Sequence, residues 1–213
     1  MSIKVEESEL LALLGEHGEH WVKDSYKDDI DMCLHGAIRR CAPQPGDALL
    51  IEQVAARQGW GITWNDADST NWIDIRDRLA HVEVTDDDLA DTFGPQWEQV
   101  AALVRRAAVM TTDEGRDLAA ANARMCRSPE GMAACDAVAL DAPWDAAART
   151  AAWAAVAWDA AWDAARDTAG DTARALAARH LISSDGFTQA HYDLLTGPWA
   201  DVISPVHPDD EAS

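Results

Sequence analysis

The chain has 213 residues, 48% of them hydrophobic, and its 38 Asp and Glu against 17 Lys and Arg give a formal net charge of -21. This length and apolar content allow a folded core, so the acidity does not indicate a disordered protein. An acidic surface repels nucleic acids and anionic lipids, because binding a polyanion depends on Lys and Arg displacing its counterions. We therefore expect no direct nucleic-acid binding and no membrane association, and no apolar run approaches the ~18 residues that span a bilayer.

Short helices with clear start and stop signals are predicted through the first half of the chain. Apolar residues recur there at helical spacing, after side chains that can accept from free backbone amides and before Gly or Pro. The predicted helices cover residues 5–16, 28–41 and 47–59, with Asp47 as a cap, then one opened by Ser69 or Thr70, one opened by Thr85, and residues 96–110. W-G-I-T-W at 60–64 is extended but too short for a sheet of its own, so we predict a packed loop.

The second half is rich in Ala and is predicted to contain longer helices. Their predicted starts are at Thr111 or Thr112, at Pro129, near residue 142 and near Thr188. The helix at about 142–181 would run ~57 Å if continuous, and Gly170 does not shift its four-residue repeat, so we expect it to continue. A compact sphere of this chain length is only ~45 Å across, which predicts an elongated C-terminal region.

The pattern of elements predicts an all-α fold, since strands and helices do not alternate along the chain. Composition changes near Met110. We therefore predict a mixed, Trp-bearing domain over residues 1–110 and an Ala-rich helical region over residues 111–213.

The four cysteines are spaced without a C-x-x-C pair, and the acidic N-terminus does not resemble a secretory leader. They are Cys33, Cys41, Cys126 and Cys135. We predict reduced, mostly buried thiols in a cytoplasmic protein.

Three separate elements of the first half stand in a recognisable order. They are Trp21, then Cys33-Leu34 with Gly36-Ala37, then Trp64-Asn65-Asp66 ahead of a Thr-capped helix. With these residues, the stretch 8–80 resembles a family of unknown function from actinobacteria and their phages, although Ser69 stands where that family has Arg. The second half, with its A-A-W-D repeat, looks like Ala-rich helical proteins of actinobacterial phages. These resemblances imply a helical fold and a phage-type source, and they imply no activity.

The stretch 66–70 fits two motifs that carry chemistry. D-x-D-x-T is typical of haloacid-dehalogenase-type phosphatases, but that chemistry uses a downstream Lys and none follows Lys27. The spacing also fits an EF-hand calcium loop, with candidate ligands Asp66, Asp68, Thr70, Asp74 and Asp77. Asn71 stands where that loop needs Gly, which favours a structural role in which Asn65 and its neighbours accept from loop and helix-start amides.

Other enzyme and cofactor motifs have less support. His17 and His20 are three residues apart and can seed a metal site, but the glycines beside them favour a solvated helix end. The chain has no Walker A loop, no G-x-G-x-x-G after a strand, and no catalytic triad that spacing singles out. The sequence therefore favours a protein that is not an enzyme and uses no cofactor.

The predicted long helix carries an acidic stripe beside an apolar strip. The acidic stripe is Asp159, Asp163, Asp167 and Asp171, and the alanine strip is Ala157, Ala161, Ala165, Ala169, Ala173 and Leu176, edged by Trp158 and Trp162. Residues four apart share a helix face, so the carboxylates stand ~6 Å apart along the axis. The stripe is either a solvated face of an acidic protein or a row of charge that a basic partner binds.

These observations predict a non-enzymatic, phage-type protein that acts through protein–protein contacts, with the acidic stripe and its two Trp residues as the partner-binding surface. One version is an acidic decoy that occupies the nucleic-acid-binding surface of a host protein in the host cytoplasm. The alternative is a structural or assembly component that forms a homo-oligomer. A second alternative is a small metal- or calcium-binding module at the Asp66 loop.

Overall fold

The computed structural model describes residues 2–23, 33–138, 161–182, 187–204 and 207, and the side chains of these residues except 138 and 161–168. The described residues form eleven α-helices, one 3-10 turn and two strands of two residues each. The protein is therefore all-α, as the sequence predicts. None of the helices in these ranges combines the length and the apolarity needed to cross a bilayer.

The helices are α1 (Glu7–Leu14), α2 (Leu34–Cys41), α3 (Asp47–Arg57), α4 (Ile62–Asn65), α5 (Trp72–Leu79), α6 (Asp86–Phe93), α7 (Trp97–Ala107), α8 (Thr112–Met125), α9 (Pro129–Val138), α10 (Ala161–Ala177) and α11 (Gln189–Val202), with the 3-10 turn at Arg179–Leu181. Strand β1 (Ile3–Lys4) pairs antiparallel with β2 (Glu83–Val84). The chain divides into unit 1 (Met1–Leu89) and unit 2 (Ala90–Ser213). The change in composition predicts a domain boundary near residue 110, about twenty residues after the observed one. The difference arises because α7, which precedes residue 110, packs against α10 within unit 2.

Unit 1 has an aliphatic core supplied by α1, α2, α3, α5 and the strand pair. Its fully buried side chains include Ile3, Leu10, Leu14, Leu34, Ile38, Leu50, Ile51, Ile75, Leu79 and Val84. The strand pair was not predicted, because strands of two residues show no alternation of apolar and polar positions. It places Ile3 opposite Val84 and so closes one side of the core.

Most of the predicted helix starts are confirmed. The hydroxyls of Thr85, Thr111 and Thr188 accept from backbone amides three residues ahead, at Asp88, Glu114 and His191. At α8 the Glu114 carboxylate also accepts from the Thr111 amide at 2.9 Å, which completes a capping box. These starts are set by local hydrogen bonds, which is why the sequence predicts them.

Four local predictions in unit 1 are wrong. The predicted helix 28–41 does not run through Cys33, because this residue has an extended backbone and is the N-cap of α2, which begins at Leu34; residues 28–32 lie outside the described residues. Helix α5 is capped by Asn71 rather than Ser69 or Thr70, because the Thr70 hydroxyl donates to the Trp64 carbonyl. Helix α3 has Gly46 at its N-cap, in the left-handed region with φ of 89°, and Asp47 is the first helical residue. Residues 60–64 do not form a loop throughout, because α4 begins at Ile62.

Unit 2 is a bundle in which α10 packs on α7, α8 and α11 while α9 packs on α11. Ala169, Ala173 and Leu176 of the alanine strip are fully buried, which confirms that part of the strip. Helix α10 also continues through Gly170, as predicted. The predicted segment 142–160 lies outside the described residues.

One buried hydrogen bond joins α10 to α11. The Thr172 hydroxyl, fully buried on α10, donates to the Leu195 carbonyl at 3.2 Å. Helix α11 contains Pro198, which cannot donate a backbone hydrogen bond to the preceding turn. A side chain from the neighbouring helix thus supplies a donor to the backbone of α11 close to its proline.

The cysteines yield a labelling prediction. None of the four forms a disulfide, and the prediction of mostly buried thiols is wrong, since Cys33 is buried, Cys41 and Cys135 are half-buried and Cys126 is exposed. Burial raises the pKa of Cys135 to about 11, and the Asp171 carboxylate adds to the rise. Since only the thiolate reacts, we expect a short iodoacetamide pulse at pH 8 to label Cys126 first and Cys135 much later. Peptide mass spectrometry checks the order, and faster labelling of Cys135 would contradict it.

Candidate protein-interaction surface

The predicted acidic stripe lies mostly outside the described side chains. Trp158 and Asp159 are outside the described residues, and Trp162, Asp163 and Asp167 belong to α10 without described side chains.

Asp171 is the one member of the stripe whose side chain is described. Its Oδ1 accepts from Arg174 Nη1 at 3.2 Å, and only 20% of the side chain is exposed. Asp171 is thus paired within unit 2 rather than extended into solvent. Partner binding by the stripe stays a prediction.

The three elements of the family resemblance meet at one buried side chain in unit 1. Asn65, fully buried at the end of α4, accepts through Oδ1 from Trp21 Nε1 at 3.2 Å and from the Leu34 amide at 3.3 Å. Its Nδ2 donates to Asp66 Oδ1 at 2.7 Å. We name this the Asn65 junction. It ties the segment before α2, the first turn of α2 and the loop after α4 to one amide group.

Residues around the Asn65 junction fix the same segments. Cys33 is the N-cap of α2, and its Sγ accepts from the Gly36 amide at 3.4 Å. Lys23 Nζ donates to the Ala67 carbonyl at 2.5 Å. Trp64 contributes its carbonyl oxygen, which accepts from the Thr70 hydroxyl. The positions that carry the resemblance thus have structural roles in holding α2, α4 and the 66–70 loop together.

The candidate calcium ligands are used locally. Asp66 accepts from Asn65, Thr70 donates to Trp64, and Asp74 accepts from the Asn71 amide in the α5 capping box. Asp68 and Asp77 are exposed, and α4 has four residues where an EF-hand has a full incoming helix. His17 and His20 are also exposed. Within the described ranges, no group of three or more His, Cys, Asp or Glu side chains is arranged to hold a metal ion.

Helix α4, the first turn of α5 and Trp21 carry partly exposed apolar side chains in unit 1, and two of them, Trp21 and Trp72, form an aromatic pair. We define the tryptophan face as Trp21, Ile62, Trp64, Trp72 and Ile73. Ile73 is 70% exposed and Ile62 is 38% exposed, and the three Trp side chains are half-buried. The rings of Trp21 and Trp72 lie 6.3 Å apart between centroids. Solvent therefore reaches aromatic and aliphatic groups that belong to one hydrogen-bonded part of unit 1.

Close backbone approach holds Trp72 in this face. Gly18 has a φ of +77°, and a Cβ added there would lie 2.5 Å from Cδ2 of Trp72. Only Gly combines this conformation with the space that the indole needs.

The segments that flank the residues of the tryptophan face carry exposed carboxylates. Glu16, Glu19, Asp68 and Asp77 are exposed carboxylates of the flanking segments. Hydrogen bonds from the backbone of Glu19 and His17 lower the pKa of the Glu19 carboxyl, so it is ionised at neutral pH. Two cations lie in the same segments, where Arg76 donates to the Glu16 carbonyl at 3.1 Å and Lys23 donates to the Ala67 carbonyl, so the four exposed carboxylates outnumber them.

His35, next to Leu34 of the Asn65 junction, is a buried group that the sequence did not single out. None of its surface is exposed, its ring stacks on Trp60 with centroids 6.3 Å apart, and neither ring nitrogen has a hydrogen-bond partner. The Arg78 guanidinium also lies over the Trp60 ring, 4.9 Å from its centroid. Burial lowers the pKa of His35, so the ring is neutral at pH 7.

Two features of this site were missed at the level of sequence. His35 lies between inward-facing residues of α2, and this apolar periodicity was the only signal of its burial. Ile73 follows Trp72 in a predicted amphipathic helix, and nothing in the pattern distinguishes an exposed Ile from a core Ile.

No family model matches this chain, and neither curated proteins nor solved structures show a significant match to it.

Proposed function

We propose that the protein acts through protein–protein contacts rather than catalysis, and that the tryptophan face binds a partner with a basic surface. The observation that carries the proposal is the exposure of Ile73 beside half-buried Trp side chains on a chain with a net charge of -21. Trp residues are enriched among the residues that dominate binding energy at protein interfaces, where their apolar surface leaves water. Surrounding carboxylates favour and accelerate encounter with a positively charged partner.

The decoy is the specific form of this function that the charge favours. A groove that normally holds a nucleic acid is lined by Lys and Arg, so it offers the charge that complements this chain. The predicted acidic stripe is a second candidate surface for the same kind of partner. In this form the protein acts in the cytoplasm of a host cell, and the partner loses access to its nucleic acid.

Substitution of one exposed Ile tests the proposal. We expect the full chain to capture a basic protein from an actinobacterial lysate, and Ile73→Asn to weaken that binding about tenfold, as loss of an apolar interface anchor does. Val109→Asn in unit 2 is the matched control, because Val109 is also an exposed aliphatic residue, at 53%. Titration calorimetry with the purified partner measures both affinities. Equal loss in the two variants would contradict a role for the tryptophan face.

Salt and competitor experiments test the nature of the partner. Binding should weaken steeply between ~50 and ~200 mM salt if opposite charges meet across the interface. Added duplex DNA should compete for the partner if the protein is a decoy. Salt-insensitive binding contradicts the basic partner. If the protein forms a stable homo-oligomer that Ile73→Asn dissociates, the tryptophan face binds a second copy of the chain. The assembly function then replaces binding to a basic partner.

A further inference from the structure

We propose that His35 makes unit 1 acid-sensitive: protonation of its buried ring separates α2 from the segment 60–65 and disrupts the tryptophan face. The proposal concerns regulation of this part of the fold by pH in the mildly acidic range. Its first test is independent of any partner.

The surroundings of the His35 ring disfavour its protonated, positively charged form. A neutral imidazole carries one N–H donor and one acceptor, whereas the protonated ring carries two donors and a full charge. His35 is fully buried and neither nitrogen has a hydrogen bond of ordinary geometry, so protonation would place a full charge in a medium that solvates it poorly. The folded state therefore favours the neutral ring.

The charged groups around the ring do not reverse this preference. Glu52 on α3 raises the pKa of His35, but both its carboxylate oxygens already accept from Arg39, at 2.7 and 3.0 Å. Arg39 on α2 lowers the pKa, and Arg78 on α5 places a second cation over Trp60. Backbone groups of Trp60 and Gly61 lie close enough to the ring to raise the pKa as weak hydrogen-bond partners, although neither forms a bond of ordinary geometry to a ring nitrogen. Burial outweighs these contributions.

Two further neighbours of the site add no charge that would stabilise the imidazolium. Burial raises the pKa of the Cys33 thiol, which is therefore neutral in this pH range. Gln58 is uncharged and accepts from Trp60 Nε1 at 2.8 Å.

Movement of His35 would disturb the residues that hold the tryptophan face in place. The residue before it, Leu34, donates its amide to Asn65, and its stacking partner Trp60 precedes α4 by two residues. Separation of the two rings thus acts on both sides of the Asn65 junction. That junction holds Trp21 and the end of α4 in place.

The direction of the pH effect follows from linkage. The pKa of His35 is lowered in the folded chain and returns to about 6.5 in the unfolded chain, so the unfolded state binds the proton more tightly. Stability is constant above about pH 6.5 as far as His35 is concerned. It falls as pH drops below that value, by about tenfold in the folded-to-unfolded ratio for each pH unit until the folded pKa is reached.

Hydrogen–deuterium exchange of the full chain tests the proposal. Peptides from residues 33–41 and 60–65 are compared between pH 7 and pH 5, after correction for the intrinsic pH dependence of exchange. We expect opening to increase several-fold, and by no more than about 25-fold, in the wild type and in His81→Gln, an exposed His in the same unit, because a His with an unfolded-state pKa of about 6.5 sets that limit between pH 7 and pH 5. His35→Phe, which keeps an aromatic ring without a titratable nitrogen, should show no such gain. Equal gains in wild type and His35→Phe would overturn the proposal.

A direct titration covers the case in which His35→Phe fails to fold. NMR of the wild type follows the Cε1 proton of His35, assigned with His35→Gln, and the midpoint should lie below 6.5. A midpoint at or above 6.5 in the folded chain overturns the proposal.

Partner binding provides a second measurement, which rests on the function proposed above. Loss of affinity at pH 5 in the wild type but not in His35→Phe is expected. Retained affinity with increased exchange would leave the acid sensitivity intact and remove the tryptophan face as the binding surface.

Discussion

Replacement of Asn65 with Ala should lower the free energy of unfolding of unit 1 by about 2–4 kcal/mol, since it removes the acceptor for two donors. The Leu34 amide is buried, and it would lose Asn65 Oδ1 with no water to replace it. Trp21 Nε1 is part-buried and loses the same oxygen, and Asp66 loses the donor Nδ2. Urea unfolding followed by Trp fluorescence measures the change.

Asn71→Ala is the matched control, six residues further along the chain. Asn71 is exposed, and its side chain accepts from the Ile73 amide at 2.9 Å as the cap of α5. Loss of such a cap costs about 1 kcal/mol. If the two variants lose the same stability, the Asn65 junction is not the connection that holds unit 1 together.

Gly131→Ala should destabilise unit 2 by about 3 kcal/mol. Gly131 lies in the first turn of α9, and a Cβ added there would overlap the backbone carbonyl oxygen of Met125 and lie 2.9 Å from the Ser128 Oγ. A backbone atom cannot move away as a flexible side chain can, so the turn between α8 and α9 must shift. The Ser128 hydroxyl, which now accepts from the Gly131 amide at 2.9 Å, would be displaced with it.

Gly197→Ala should change the stability of the same unit much less. Gly197 lies inside α11, and apart from its neighbours in the chain a Cβ added there meets no atom within 4 Å. Ala is favoured over Gly in a helix interior by about 0.5–1 kcal/mol, but the ring of Pro198 disfavours helical backbone for a preceding residue with a Cβ, so the two effects oppose each other. Thermal unfolding of both variants is the measurement. Similar melting temperatures would show that the turn between α8 and α9 accommodates the added methyl group without loss of stability.

Local signals account for what could be predicted of the fold. The Thr caps at residues 85, 111 and 188 depend on groups within three residues, and sequence is sufficient to find them. The cap of α5 differs from the prediction because of a competing hydrogen bond: Thr70 has a hydroxyl suited to capping, but it donates to the carbonyl of Trp64, six residues earlier in the loop. Propensity identifies candidates for a cap, and competition for the hydroxyl decides among them.

The candidate site could be predicted only in pieces. Trp21, Cys33 and Asn65 were recognised as elements of one pattern, but spacing could not show that Trp21 bonds to a side chain 44 positions away. Likewise, His35 becomes distinctive only through what surrounds it, namely Trp60 on one ring face and no acceptor for either nitrogen. Burial and hydrogen-bond satisfaction arise from the assembled fold rather than from any single segment.

The buried hydroxyl of Thr172 has a consequence for how α10 and α11 align. The face of α10 with Ala at every fourth position is smooth and repetitive, so it offers few large side chains to stop a neighbouring helix from sliding along it by one repeat, ~6 Å. Any slide removes the Leu195 carbonyl from Thr172. A slide by one repeat would also displace the buried Leu176. One polar atom and one leucine together select a single alignment of the two helices, as a buried polar residue does in a coiled coil.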